Sequence, residues 1–138
     1  MEIKPIVFGI IGAVGSAIAN LFGGWTTDFA TLLIFMGIDF ITGLIVAGIF
    51  KKSKKTKNGA LESNIGFKGL AKKVIVLFFV LIGARLDLLL GSDYIRTALI
   101  IAFICNETIS ITENAGLLGI PIPKPIADAI DILRGDKK

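Results

Sequence analysis

The chain has no histidine and a single cysteine, Cys105. That scarcity removes the usual zinc, haem and disulfide constellations. Cys105 lies inside an apolar run and reads as a small buried packing residue. No nucleophile–base pair accompanies its carboxylates, and the glycines near the N-terminus lie in an apolar helix rather than after a strand, so they make no nucleotide loop. Neither an enzyme nor a cofactor is expected. The N-terminus also lacks the dense positive region and clean cleavage site of a secretory signal, so its apolar segment is expected to be retained.

What the chain has in excess is hydrophobicity, at 54% of residues and a mean hydropathy of +0.80, far from a soluble average. Four apolar segments stand out, at 6–22, 29–50, 74–90 and 94–115. A bilayer core of about 30 Å needs roughly 17 to 25 such residues per helix. The first segment is short but rich in small residues. Gly9/Ala13, Gly12/Ser16 and Gly15/Ala19 are all spaced to let another helix approach closely, and Gly43 offers the same in the second. Trp25 suits an interfacial anchor ahead of the second segment. Pro121, Pro123 and Pro125 end the fourth helix. A short amphipathic helix is then predicted over 125–134, with Ile126, Ile130 and Leu133 along one side.

Charge is placed unevenly. Eight lysines (51, 52, 54, 55, 57, 68, 72 and 73) lie between Phe50 and Val74 against one acid, Glu62. The segment 51–73 is therefore expected to be a cytoplasmic loop, with Lys51, Lys52, Lys54, Lys55 and Lys57 facing anionic lipid. Only Phe67 interleaves with these lysines, so nucleic-acid stacking is not expected. If all four segments span, both termini are cytoplasmic and the outer loops carry no lysine or arginine. Three spans, with the first or fourth segment interfacial or re-entrant, stay open as the alternative.

Ionisable groups inside the apolar segments need a reason. A carboxylate at the membrane centre costs about 2.5 to 3.5 kcal/mol on insertion scales, and Asp39 sits mid-way along the second segment. It reads either as a pore-lining or gating group or as a helix–helix pairing group, with Arg85 as a candidate partner. Arg85 and Asp87 are two residues apart and so do not face each other. Each needs a partner elsewhere, unless Arg85 simply snorkels to the interface. In the fourth segment Asn106, Glu107, Ser110, Glu113 and Asn114 fall within an arc of roughly 120° on a helix advancing about 100° per residue. That stripe wants water or another polar stripe beside it, which makes its five residues candidates to line or gate a pore.

Several phrases together resemble the phage holin family, also described as toxin-secretion or phage-lysis holins. They are Asp39-Phe40-Ile41-Thr42-Gly43, the basic run ending Gly69-Leu70-Ala71-Lys72-Lys73, Asp87, the run Asn106 to Ala115, and Gly119-Ile120-Pro121-Ile122-Pro123. The resemblance covers roughly residues 29–133. It implies a small protein that accumulates in the bacterial cytoplasmic membrane, associates with itself and opens holes. An endolysin, or in some relatives a toxin, escapes through them as cargo without stable binding. Family members are often described with three spans, whereas the charge pattern here fits four.

The sequence thus predicts an all-α membrane protein: four hydrophobic helices, three or four of them spanning, plus a short C-terminal amphipathic helix. The leading reading is a holin. Competing readings are a proton-coupled or multidrug-type transporter using Asp39 or Glu107, and a structural membrane subunit whose lysines meet anionic lipid or a partner.

Overall fold

The computed structural model describes residues 2–135. Five helices follow one another: α1 (Ile3–Leu21), α2 (Thr27–Gly48), α3 (Ser63–Leu90), α4 (Ile95–Leu117) and α5 (Lys124–Leu133). No strand occurs among the described residues. α1, α2 and α4 are each long and apolar enough to cross a membrane. Pro5 is accommodated because it falls in the first turn of α1, where its missing N–H has no acceptor to serve.

The principal difference from the expected layout concerns the lysine-rich loop. Only residues 51–62 are loop, while Ser63 to Lys73 form the first turns of α3. Gly66 and Gly69 each cost about 1 kcal/mol relative to alanine in a helix. The rest of the run, Leu70-Ala71-Lys72-Lys73, consists of good helix formers and contains no proline, so the helix starts early. This puts Lys68, Lys72 and Lys73 on a helix, where together with Arg85 and Asp87 they leave α3 outside the three helices long and apolar enough to cross a membrane. The remaining loop closes through a bond from the Ser53 N–H to the Gly59 carbonyl (3.1 Å). Gly59 has φ +79°, and a Cβ there would stand 2.1 Å from the Lys51 carbonyl oxygen, so glycine is required.

α4 lies between α2 and α3 and packs on both, whereas α2 and α3 meet each other over far less of their length. The inward positions repeat at steps of three or four, which keeps one face of each helix on its neighbours. On α4 they are Arg96, Ile100, Phe103, Glu107, Ser110 and Asn114. On α2 the stripe runs through Phe29, Leu32, Met36, Asp39 and Gly43, and on α3 through Asp87, Ala84, Val80, Val76 and Lys73. The chemistry along these stripes is layered. Phe29, Leu32, Met36, Val80 and Ile100 form a closed apolar core, flanked by Phe22, Leu33, Val76, Leu77, Phe103 and Ile104. Polar groups occupy the inner stripe on both sides of that core. At Gly83 α3 approaches α4 so closely that a Cβ would lie 2.7 Å from Leu99 Cδ1 and 3.2 Å from Arg96 Cα.

α1 is different in kind: it buries none of its residues. It touches the bundle only sparsely, through α3. Ile3, Phe8, Ile10, Ile11, Val14 and Ile18 are all more than half exposed. So continuous an apolar surface has no place in water and fits the hydrocarbon of a bilayer. A Cβ added at Gly9, Gly12 or Gly15 would meet nothing within 4 Å, and Ser16 is exposed, so within one subunit these packing candidates meet no helix. Gly43 does, lying 3.9 Å (from its Cβ position) from Asn114 Nδ2. α5 packs on α4 through Ile130, which is buried, while Ile126 and Leu133 stay exposed. The Lys124–Asp128 pair on α5 (2.7 Å) is solvent-facing and contributes little.

Candidate functional site: a buried ion triad and its vestibule

Three charged side chains from three helices meet beyond the apolar core. The Lys73 ammonium donates to Asp39 Oδ2 at 2.8 Å and to both oxygens of Glu107, at 2.8 and 3.0 Å. The three side chains are only 11–16% exposed. Asn114 joins from two turns further along α4, its amide donating to Thr42 Oγ1 at 2.9 Å and to Asp39 Oδ1 and the Asp39 carbonyl at 3.3 Å. Thr42 in turn donates to the Asp39 carbonyl (3.0 Å), and Ser110 adjoins the Asp39 carboxylate. One cation between two carboxylates leaves the cluster with a formal charge of −1. Interhelical contacts of this kind join helices in a solvent where apolar packing alone gives no hydrophobic drive.

The stripe on α4 therefore divides. Glu107, Ser110 and Asn114 turn toward α2 and α3, whereas Asn106 and Glu113, each one residue earlier, stay exposed. All five border a cavity of about 770 Å³ that opens beside the loop 53–62 and ends at the triad. Its walls include Gly66, Gly69 and Lys72 of α3 and Leu44 and Ala47 of α2, with Lys54 and Lys55 over the mouth. Gly66 and Gly69 hold it open, since nothing lies within 4 Å of a side chain's first carbon at either position. Beyond the triad the apolar core closes the way. The subunit thus has a polar vestibule at one end and a dry seal in its middle.

The expected charge partners need one correction. Asp39 pairs with Lys73 and not with Arg85, which is exposed on α3. The reason is helical phase: residue 84 lies on the inward stripe, so residue 85 is turned about 100° away. Asp87 is back on that stripe, and its partners are local to the next helix. Its Oδ1 accepts from Ser92 Oγ (2.6 Å) and the Ile95 N–H (3.0 Å), and its Oδ2 from the Arg96 N–H (3.0 Å). It caps α4, whose own N-cap residue Tyr94 makes no side-chain cap. Lys51, Lys52, Lys54, Lys55 and Lys57 are all exposed on the loop.

Two further residues of this polar framework are not apparent from the sequence. Composition groups Lys73 with the loop lysines, although it continues the inward stripe of Val76, Val80 and Ala84 by one turn. Arg96, in the first turn of α4, is buried with only 8% exposure. No metal-binding cluster of histidine, cysteine or carboxylate side chains occurs among the described residues.

Residues 16–135 match the model of the bacteriophage holin family. The chain belongs to that family. It is 37% identical to an uncharacterised 14.9 kDa protein of Clostridium perfringens, over 98% of this chain and 97% of that one. It is 36% identical to an uncharacterised protein of Halalkalibacterium halodurans, over 90% of each. A probable holin of Bacillus phage phi105 is 30% identical over 76% of this chain and 73% of its own. No solved structure matches the chain. Family membership agrees with the fold: an all-α membrane protein with three long apolar helices. The matched stretch contains the whole triad and both ends of the stripe on α4.

Proposed function

We propose that this holin-family chain opens holes in the bacterial cytoplasmic membrane by associating with copies of itself. An endolysin, or a toxin, would pass through as cargo without stable binding. The observation that carries the proposal is the family match over residues 16–135. Two structural features support a hole between subunits over one through a subunit. The apolar core of Phe29, Leu32, Met36, Val80 and Ile100 leaves no passage along the bundle. α1 offers an entirely uncovered helix with a small-residue face, suited to close approach by another helix. Asn106 and Glu113, exposed along α4, would then turn to water as subunits gather, with Glu107, Ser110, Asn114 and Asp39 behind them.

In this reading α1, α2 and α4 cross the membrane, and α3 crosses with its apolar part, 74–90. The loop 51–62 and both termini lie in the cytoplasm, with the loop lysines against anionic headgroups. The transporter alternative would use Asp39 or Glu107, the two carboxylates that share Lys73.

Induced expression in a bacterium, with and without an endolysin, tests the proposal. The expected outcome is abrupt loss of membrane potential and endolysin-dependent lysis. The Glu107→Leu, Glu113→Leu double variant should insert normally but fail to lyse. Unchanged lysis timing in that variant removes the stripe from the mechanism, and resistance to a cationic dye without lysis supports a transporter.

A further inference from the structure

Arg96 makes three side-chain hydrogen bonds, an ion pair and a ring contact, and the triad does not involve it. Its guanidinium points out of α4 into the connection between α1 and α2. Nε donates to the Phe22 carbonyl, one terminal nitrogen to the Gly24 carbonyl (2.9 Å) and the other to Thr26 Oγ1 (3.0 Å). Asp28 lies 3.9 Å away, and the guanidinium stacks over the Phe29 ring at 5.3 Å from its centroid. The acceptor at 22 is the C-cap carbonyl of α1, where a helix carries partial negative charge and favours a cation, and the one at 24 belongs to the turn that follows.

The surroundings are shaped to this fit. Gly23 has φ +87°, and a Cβ there would stand 3.1 Å from both Arg96 Cδ and Nε; Gly24 has φ +100°. From the other side, Asp87 of α3 holds the Arg96 backbone N–H, and Gly83 lets α3 close on it. All four long helices therefore converge on one residue. For α1 the convergence is decisive, because no residue along its length is buried. Its direction is set where it joins the turn, by Phe22 stacked on Phe29 (5.1 Å between centroids), by its sparse contact with α3 and by Arg96 holding the carbonyls of the turn.

We infer that Arg96 is a positioning residue: it sets the angle at which α1 leaves the bundle, and so the face that α1 presents to a neighbouring copy. The second clause rests on the proposed self-association; the first does not. A lysine at this position lacks the planar fork needed to serve two carbonyls and a hydroxyl together. Glutamine also falls short in reach and in donors. The α2–α4 bundle has its own ties in the apolar core and the triad, so loss of Arg96 should free α1 selectively.

Spin labels test this in a Cys105→Ala background, in phospholipid vesicles. One pair, at Ile10 and Ile101, reads α1 against α4. A second pair, at Ile41 and Ile101, reads α2 against α4. With Arg96→Gln the α1–α4 distance distribution is expected to broaden about twofold or more, while the α2–α4 distribution stays as narrow as in the parent. Arg96→Lys should fall between the two. An unchanged α1–α4 distribution overturns the inference, and so does equal broadening of both pairs, which marks a general loss of the bundle. Because these distances are read without lysis, a chain that never lyses cells leaves the positioning result intact while removing the proposed function. In lysing cells, Arg96→Gln should delay the onset of lysis at equal membrane levels.

Discussion

Lys73→Met removes the one cation that two buried carboxylates share. Deleting one partner of a buried ion pair usually costs about 3 to 5 kcal/mol, because the remaining charge stays uncompensated. Here two carboxylates are left facing each other, which argues for the upper end. The vestibule argues for the lower end, since all three side chains border it and keep 11–16% exposure, which relieves part of the desolvation. A loss of about 3 kcal/mol follows, or about a hundredfold in the folded-to-unfolded ratio. The triple variant Asp39→Asn, Lys73→Met, Glu107→Gln removes all three charges while keeping shape. Neutral replacements of buried ion sets are often tolerated, so it should lie within about 1 to 2 kcal/mol of the parent. Reversible unfolding in mixed detergent micelles, followed by fluorescence of Trp25 against the Phe29 ring (5.8 Å between centroids), gives both numbers. A Lys73→Met variant as stable as the parent, or a triple variant as damaged as the single one, refutes the reasoning.

Gly83→Val should separate α3 from α4, because the new side chain would collide with the Arg96 backbone as well as with Leu99. Overpacking of this kind costs about 1 to 3 kcal/mol, and a lengthened α3–α4 label distance would register it. Asn114→Ala loses the amide bonds to Thr42 and Asp39. Interhelical hydrogen bonds in membranes average about 0.6 kcal/mol, so a loss near 1 kcal/mol is expected in the same unfolding assay. Gly59→Ala puts a methyl group against the Lys51 carbonyl and should speed protease cleavage within 51–62 without altering helix content.

Much of the architecture is legible in the sequence because apolar runs and prolines mark membrane helices directly. The stripe on α4 can be placed on one helical face from spacing alone. Which part of that face turns inward cannot, because Asn106 and Glu107 differ by only about 100° of rotation. The phase is set by the packing of Ile100 and Phe103 against α2 and α3. Lys73 is hidden by its neighbours: in a run of lysines, nothing local distinguishes the one that continues an apolar stripe. Arg96 is hidden for the opposite reason. Two of its acceptors are main-chain carbonyls of a turn 72 and 74 residues away, and backbone acceptors leave no mark in side-chain composition. The paired glycines at 23 and 24 are the available hint, since a turn made of two of them leaves carbonyls open to a donor.

The proposed function requires that copies of this chain together make a hole wide enough for a folded protein. Vesicles of bacterial phospholipid, loaded with both a small dye and a folded protein of endolysin size, test it directly when the purified chain is reconstituted into them. Both cargoes are expected to leave together once the protein-to-lipid ratio passes a threshold. Escape of the dye alone, or retention of both at every ratio, contradicts it.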